Sequence, residues 1–314
     1  MRYSRQEVLI GIESQDLLKE ISVSVVGLGA LGSNCANLLA RAGLNLILID
    51  YDKIDLTNLQ RQNIFTEQDI NENKTETAKN YLEKVNSEIK IKIYNKKINK
   101  NNINLIKSDL VLDCTDNLET RFLINEFCYK NNLPFVHGAA IQDKGSVFNV
   151  IPGRACFNCI YKFTGNIVRC EDLGVLNTIT TLISSLQVNE ALKILLNKNY
   201  EINLIRINLE NNNVEKIKVN KNPDCEICGG KSGEKKFELT LCKTGNTLSV
   251  KTDKELDLEK IKDNFGVLRD SRLTLLLEVE NEQVIINKNE MVFKTLRDED
   301  KIMKIAKEIY EVAR

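Results

Sequence analysis

A short β-branched run at residues 22–27 ends in Gly27-Leu28-Gly29-Ala30-Leu31-Gly32, and residues 33–42 continue with helix-forming composition. Extended chain, glycine turn and helix in immediate succession constrain the fold more than any other feature of the sequence. Glycines let the backbone approach a pyrophosphate, while the N-terminus of the following helix points amide donors at it. An acidic residue, Asp50, follows at roughly the separation where a carboxylate meets a ribose hydroxyl. Alone, the pattern means a nucleotide of some kind, with NAD the usual occupant, or a tight turn packed without a ligand.

The segments beyond the turn extend this pattern. Residues 46–50 and 89–94 read as further strands, with a helical stretch between them beginning near Lys74. The order β-α-β-α-β predicts a Rossmann-like α/β fold with a doubly wound, mostly parallel sheet. Residues 110–114, 135–137 and 146–150 are additional strand candidates, and residues 178–196 carry apolar side chains at the spacing of one long helix. Around residues 220–231 the chain turns polar and contains Pro223, Gly229 and Gly230, which predicts a domain boundary there. The expected division is 1–230 and a small α+β domain at 231–314. In the second part, residues 236–242 and 247–252 read as a hairpin, 256–265 as a helix, 273–280 and 284–294 as strands, and 298–313 as a closing helix.

Charge and cysteine content narrow the function classes. Forty-four Lys and Arg balance 44 Asp and Glu, with a single histidine, so no net field draws the chain to nucleic acid or an anionic membrane. Residues 1–10 lack the apolar core of an export signal, and no apolar run approaches the roughly 20 residues of a membrane span. A cytoplasmic location, with reduced thiols, is the expectation. The nine cysteines then call for a reason. Four lie in two C-x-x-C pairs, Cys156-Phe157-Asn158-Cys159 and Cys225-Glu226-Ile227-Cys228. Four sulfurs complete a closed structural zinc (Zn2+) site, although the chain between the pairs is far longer than in a zinc ribbon, and a redox dithiol is the rival reading of either pair. Cys35, Cys114 and Cys128 sit in apolar surroundings, where burial is the ordinary reading. Cys242 falls in the predicted hairpin. Cys170 differs: it stands in a polar loop at 166–174, beside Arg169, whose charge favours thiolate.

The loop after Asp50 does not resemble a dehydrogenase. Asp50-Tyr51-Asp52-Lys53-Ile54-Asp55-Leu56-Thr57-Asn58-Leu59-Gln60-Arg61-Gln62 gathers acids, amides and an arginine, which suits a triphosphate with its magnesium, or forms a solvated polar loop. Together with Arg2-Tyr3-Ser4-Arg5-Gln6, Gly27 to Gly32, Lys74 and Asp113-Cys114-Thr115-Asp116-Asn117, this loop resembles the adenylating domain of the MoeB/ThiF (HesA) family, relatives of ubiquitin-activating enzymes. The likeness runs in order over about residues 1–229.

That resemblance implies an ATP-dependent adenylyltransferase acting on the C-terminal glycine carboxylate of a ubiquitin-like sulfur carrier protein ending in Gly-Gly. Sulfur would come from a donor such as a cysteine desulfurase, for molybdopterin, thiamin or tRNA thiolation. On the positions here it implies Gly27, Gly29 and Gly32 around the nucleotide and Asp50 on the ribose. Asn58, Arg61 and Lys74 would hold the phosphates, and Asp116 magnesium (Mg2+). Arg5 would reach the triphosphate of the neighbouring subunit in a homodimer. It also implies zinc shared by Cys156, Cys159, Cys225 and Cys228, since such proteins close a zinc site with similarly distant pairs. Cys170 looks like the cysteine that in some members links covalently to the carrier. The family usually shows Gly-Pro or Ala-Pro after Gly174-Val175-Leu176, whereas this chain has Asn177-Thr178. His137 stands where the family has a small residue; with no partner constellation in the sequence, it reads as a packing or substrate-lining residue. The ending resembles the short tail of some ThiF-like proteins, with a docking role. An NAD(P)-linked oxidoreductase and a nucleotide-sensing scaffold that docks a carrier without adenylating it are the alternatives.

Overall fold

The computed structural model describes residues 2–164, 174–229, 240–244, 247–252, 255–271, 274–280, 282–293 and 295–313. The chain forms two compact units, Met1–Ser232 and Gly233–Arg314.

The first unit is built on an eight-stranded sheet of order β3-β2-β1-β4-β5-β6-β7-β8. Strands β1 (Ser22–Val26), β2 (Asn45–Asp50), β3 (Ile91–Asn95), β4 (Leu110–Asp113) and β5 (Phe135–Ile141) run parallel. β6 (Lys144–Val150), β7 (Leu204–Asn208) and β8 (Asn213–Ile217) extend it antiparallel. All four residues of β4 are buried, as are the last four of β1. Continuous apolar runs of this kind are what a strand needs when helices cover both faces of its sheet. On one face lie α3 (Ala30–Ala42), α4 (Lys74–Val85) and α7 (Asn177–Leu195), packed with Val23 and Val25. On the other, Val26 and Val111 meet α5 (Leu118–Lys130) and α6 (Phe157–Thr164). The expected doubly wound sheet is therefore present, and the strand at 135–137 runs on to Ile141 because it pairs along its whole length with β6.

Several elements escape the sequence reading. Helices α1 (Ser4–Ile10) and α2 (Ile12–Glu20) hinge at Gly11, whose φ of 90° lies in the left-handed region that glycine tolerates. They dock on the far ends of α3 and α4: Gln6 and Gln15 donate to the Ala42 carbonyl, and Tyr3 Oη accepts from Asn86 Nδ2 at 2.8 Å. α1 buries none of its side chains, so it carries no apolar stripe to detect. Also unread were α5 and the edge pair β7–β8; β8 is exposed in four of its five residues. No helix among the described residues is long and apolar enough to cross a membrane.

The second unit is an antiparallel sheet of order β11-β12-β13-β14-β10-β9 with two helices. The hairpin β9 (Thr240–Thr244) and β10 (Thr247–Lys251) leads to α8 (Leu258–Asn264), whose first amides are capped by Asp257. Then follow β11 (Val267–Asp270), β12 (Leu275–Val279), β13 (Glu282–Asn287), β14 (Glu290–Phe293) and α9 (Glu299–Ala313). Ile302, Ile305, Ala306, Ile309, Tyr310 and Ala313 repeat at three and four residues, and all are buried against the sheet residues of one core. This matches the α+β module expected, with β11 as the strand the sequence reading lacked.

Candidate active site

From β1 the chain moves outward through β2 and β3, then crosses back to β4 on the opposite side. The carboxyl ends of β1 and β4 thus form the point where strand order reverses, the usual crevice for ligands in open α/β sheets. The glycine turn sits there. Gly27 has φ of 88°, and a Cβ on it would lie 2.8 Å from the Cys114 carbonyl oxygen. A Cβ on Gly32 would collide with the Gly27 carbonyl, so these two glycines serve the packing of turn, helix and β4. Gly29 is different: a Cβ there meets no protein atom within 4 Å, and it occupies the N-cap of α3 without any side-chain cap. The first amides of α3 therefore remain available to an anion. Gly32→Ala is expected to destabilise the protein by about 3 kcal/mol. Gly29→Ala is expected to leave the melting temperature unchanged while weakening nucleotide binding, as thermal melts beside calorimetric ATP titrations would read.

Asp50 ends β2 nearly buried, at 7% exposure. Its Oδ2 accepts from the Leu28 amide at 2.5 Å and its Oδ1 from the Asp52 amide at 2.8 Å. Burial raises its pKa, against the opposing pull of Lys74 and these two amides. The carboxylate is thereby fixed to the glycine turn. Lys74, the first residue of α4, is only 5% exposed, and its Nζ lies 3.1 Å from Asp52 Oδ2. A short turn at Leu56–Asn58 carries the next two groups. Asn58 Oδ1 accepts from the Asp55 amide at 3.2 Å, and half-buried Arg61 is steadied by Nη1 donating to the Thr57 carbonyl at 2.8 Å.

Asp116 is exposed in the loop after β4, where Asn117 Nδ2 lies 3.5 Å from its Oδ1. Its carboxylate oxygens suit a hard divalent cation such as magnesium. Arg5 lies exposed on α1, against the ends of α3 and α4 remote from the turn. Since α3 has 13 residues, that is about 20 Å away, and a single chain does not bring Arg5 to the other groups. Cys170 lies outside the described residues. Residues 174–176 are anchored to neighbouring segments: the Gly174 carbonyl accepts from the Gln142 amide, the Leu176 amide donates to the Gln142 carbonyl, and Gln60 Nε2 donates to the Val175 carbonyl at 3.4 Å.

The sequence reading missed a buried polar group at the paired strands β4 and β5. His137 does have a partner: its Nδ1 lies 2.7 Å from Oδ2 of Asp113, its register neighbour across β4 and β5. Arg121 of α5 approaches the same oxygen at 3.9 Å. Although burial works the other way, these neighbours and Thr115 hold the Asp113 carboxyl below its usual range. Burial lowers the His137 pKa against the pull of Asp113, and an ionised carboxylate, which can only accept, pairs with Nδ1 as the donor. The aspartate of Asp-Cys-Thr-Asp-Asn was the one available signal.

The two C-x-x-C pairs converge. All four sulfurs lie within 4.8 Å of one another, with Cys156 Sγ 3.6 Å from Cys225 Sγ and Cys159 Sγ 3.4 Å from Cys228 Sγ. A tetrahedral zinc with 2.3 Å bonds has sulfur–sulfur edges of about 3.8 Å. All four side chains are buried. Burial, helped by Cys225 and Cys159, pushes the Cys156 thiol up to about 12, so ionisation of the set requires a cation. Cys225 differs: despite burial, the amides of Cys228 and Ile227 hold its thiol below the usual value. One closed four-sulfur cradle fits zinc and leaves no coordination position open; two separate redox dithiols would not need to meet.

Comparison with known proteins agrees with this geometry. The ThiF family profile matches residues 3–227. The molybdopterin-synthase adenylyltransferase of Escherichia coli is 35% identical over 239 residues, covering 73% of this chain and 96% of that protein. The SAMP-activating enzyme E1 of Haloferax volcanii is 30% identical over 238 residues, covering 73% of this chain and 88% of that one. Among solved structures, E. coli MccB with succinimide superposes with a TM-score of 0.66 at 25% identity, covering 73% of this chain and 74% of the other. With the family profile spanning the glycine turn, the acidic loop, the first cysteine pair and Cys225 of the second, this protein belongs to the ThiF family.

Proposed function

We propose that the protein is an ATP-dependent adenylyltransferase that activates the C-terminal glycine carboxylate of a small ubiquitin-like sulfur carrier. The observation that carries this reading is the meeting of an uncapped helix N-terminus, the Asp50 carboxylate and the buried Lys74 ammonium at the switch point of the sheet. The adenylyltransferase with which the chain shares nearly its whole relative's length supports it.

In this reading the turn of Gly27, Gly29 and Gly32 cradles phosphate through the uncapped amides that begin α3, the Gly27 amide itself donating to the Ile49 carbonyl, and Asp50 holds the ribose. Asn58, Arg61 and Lys74 neutralise the triphosphate, Asp116 binds magnesium, and Arg5 serves the site of a neighbouring subunit in a homodimer. A carboxylate oxygen of the carrier attacks the α-phosphorus, the bond from that phosphorus to the bridging oxygen breaks, and pyrophosphate leaves. An ionised carboxylate is already a nucleophile, so positioning and charge neutralisation carry the step and no general base is required. A persulfide on a donor such as a cysteine desulfurase then attacks the acyl carbon and displaces AMP to give an acyl disulfide. A thiol reductant cleaves its S–S bond, leaving the thiocarboxylate on the carrier and a disulfide on the donor. Zinc at Cys156, Cys159, Cys225 and Cys228 is structural. Cys170 would be the site of any covalent link to the carrier, and the reduced thiols fit a cytoplasmic enzyme.

The test is exchange of labelled pyrophosphate into ATP. Exchange is expected with a carrier ending in Gly-Gly and absent with a carrier lacking its last glycine. Carrier binding without any exchange would favour the scaffold alternative, and displacement of ATP by a nicotinamide dinucleotide would favour the oxidoreductase.

A further inference from the structure

We propose that His137 is a positioning residue for Asp116, acting through the Asp113 carboxylate; the inference rests on the adenylation reading above. The Asp113 carboxylate is fully buried at the end of β4, where an uncompensated charge would be costly. Its two oxygens divide their duties. Oδ2 accepts from His137 Nδ1, and Oδ1 accepts from the Thr115 amide at 3.1 Å and the Thr115 hydroxyl at 2.7 Å. Arg121 then donates to the Thr115 carbonyl through Nε at 3.2 Å and Nη2 at 2.5 Å. Every polar group of Thr115 is thus engaged by the same buried cluster.

On the other side of Asp116, Asn117 is pinned as well, since its Oδ1 caps α5 by accepting from the Thr120 amide at 2.9 Å. Asp116 therefore projects, exposed, from a peptide fixed at both ends. Fixing a ligand's backbone by buried hydrogen bonds is how a protein lowers the entropy cost of binding a cation or a charged substrate. Without the imidazole, Asp113 Oδ2 would keep among the described residues only Arg121 at 3.9 Å, beyond hydrogen-bond reach, and the carboxylate would be held through the Thr115 bonds to Oδ1 alone.

The ring of His137 is itself held. It packs against Phe157 with centroids 4.7 Å apart, and Phe157 stands between Cys156 and Cys159 and touches Phe122 of α5 edge-on. The cysteine cluster and the Asp116 loop are therefore joined through one side chain. A small residue at position 137 could not make either contact.

The experiment compares wild type, His137→Ala, His137→Asn and Asp113→Asn. Asparagine keeps a donor near the position of Nδ1, and Asp113→Asn is isosteric, so the link is probed from both sides. Circular dichroism, melting temperature and zinc content establish folding. The magnesium concentration for half-maximal carrier-dependent exchange is then measured, and calorimetric ATP titrations are run with and without magnesium. His137→Ala and Asp113→Asn are expected to raise the magnesium requirement about tenfold and to lose the magnesium-dependent gain in ATP affinity, with carrier KM unchanged. His137→Asn is expected to restore most of both. Variants with lowered melting temperature but a wild-type magnesium requirement would mean that His137 only satisfies a buried carboxylate, and would overturn the inference alone. A wild-type enzyme without exchange would remove the adenylation reading and this inference with it.

Discussion

Lys74→Met is expected to lower carrier-dependent ATP–pyrophosphate exchange by about 10²–10³-fold, the usual cost of removing one preorganised charge-stabilising group. The same substitution is expected to change stability by less than about 1 kcal/mol. The two numbers part company because of where the lysine sits. As the first residue of α4 it places a positive charge at the positive end of a helix dipole, and it does so at 5% exposure. Its ion pair with Asp52 at 3.1 Å has a half-exposed partner, and the nearly buried Asp50 on which Lys74 also pulls keeps both of its amide donors, so methionine leaves neither carboxylate buried without a partner. A residue that breaks a local rule without a structural return marks a functional site. Thermal melts of equal midpoint beside collapsed exchange would bear this out. Exchange at the wild-type rate would remove Lys74 from the reaction and weaken the adenylation reading with it.

The second large effect concerns the cysteine cluster. Purified protein is expected to carry one zinc per chain, and Cys225→Ser is expected to lose it. Loss of a structural metal belongs to the most destabilising class of change, about 4 kcal/mol or more. For a unit of this size that is a fall of roughly 10 °C in melting temperature. The reason is geometric. Gly229 packs so tightly that a Cβ on it would lie 2.6 Å from the Cys225 carbonyl oxygen, and the Asn222 amide already points at Cys159 Sγ from 3.5 Å. The first contact folds residues 222–229 on themselves and the second sets them against α6, and four buried thiols without a cation give little to hold them there. Elemental analysis and melts with and without chelator decide the point: wild-type protein purified without zinc, whose melting temperature neither chelator nor Cys225→Ser lowers, would overturn the assignment.

Much of the site was legible because it is local. The strand, glycine turn and helix occupy consecutive residues, and Asp50 ends the next strand, so the hydrogen bond from the Leu28 amide to Asp50 Oδ2 follows from the shortest crossover a parallel sheet allows. The C-x-x-C pairs were equally visible, each being a single turn of chain. Helices α1 and α2 were not, since α1 buries no side chain and Arg2-Tyr3-Ser4-Arg5-Gln6 read only as a motif. The His137 partnership was invisible for another reason. Its two ends are brought together by the register of β4 with β5, which nothing near either residue specifies.

The sequence by itself determined the doubly wound class, the nucleotide turn and the residue types able to hold a triphosphate and a metal, because apolar periodicity and glycine sterics act over a few residues at a time. Tertiary structure alone decided which sulfur faces which across the cluster, that Lys74 is buried, that Arg5 lies remote from its own chain's turn, and that His137 reaches Asp113. Those are consequences of strand order and of side chains packing from elements far apart in the chain, and such long-range contacts form only when the whole sheet and both its helix layers are in place.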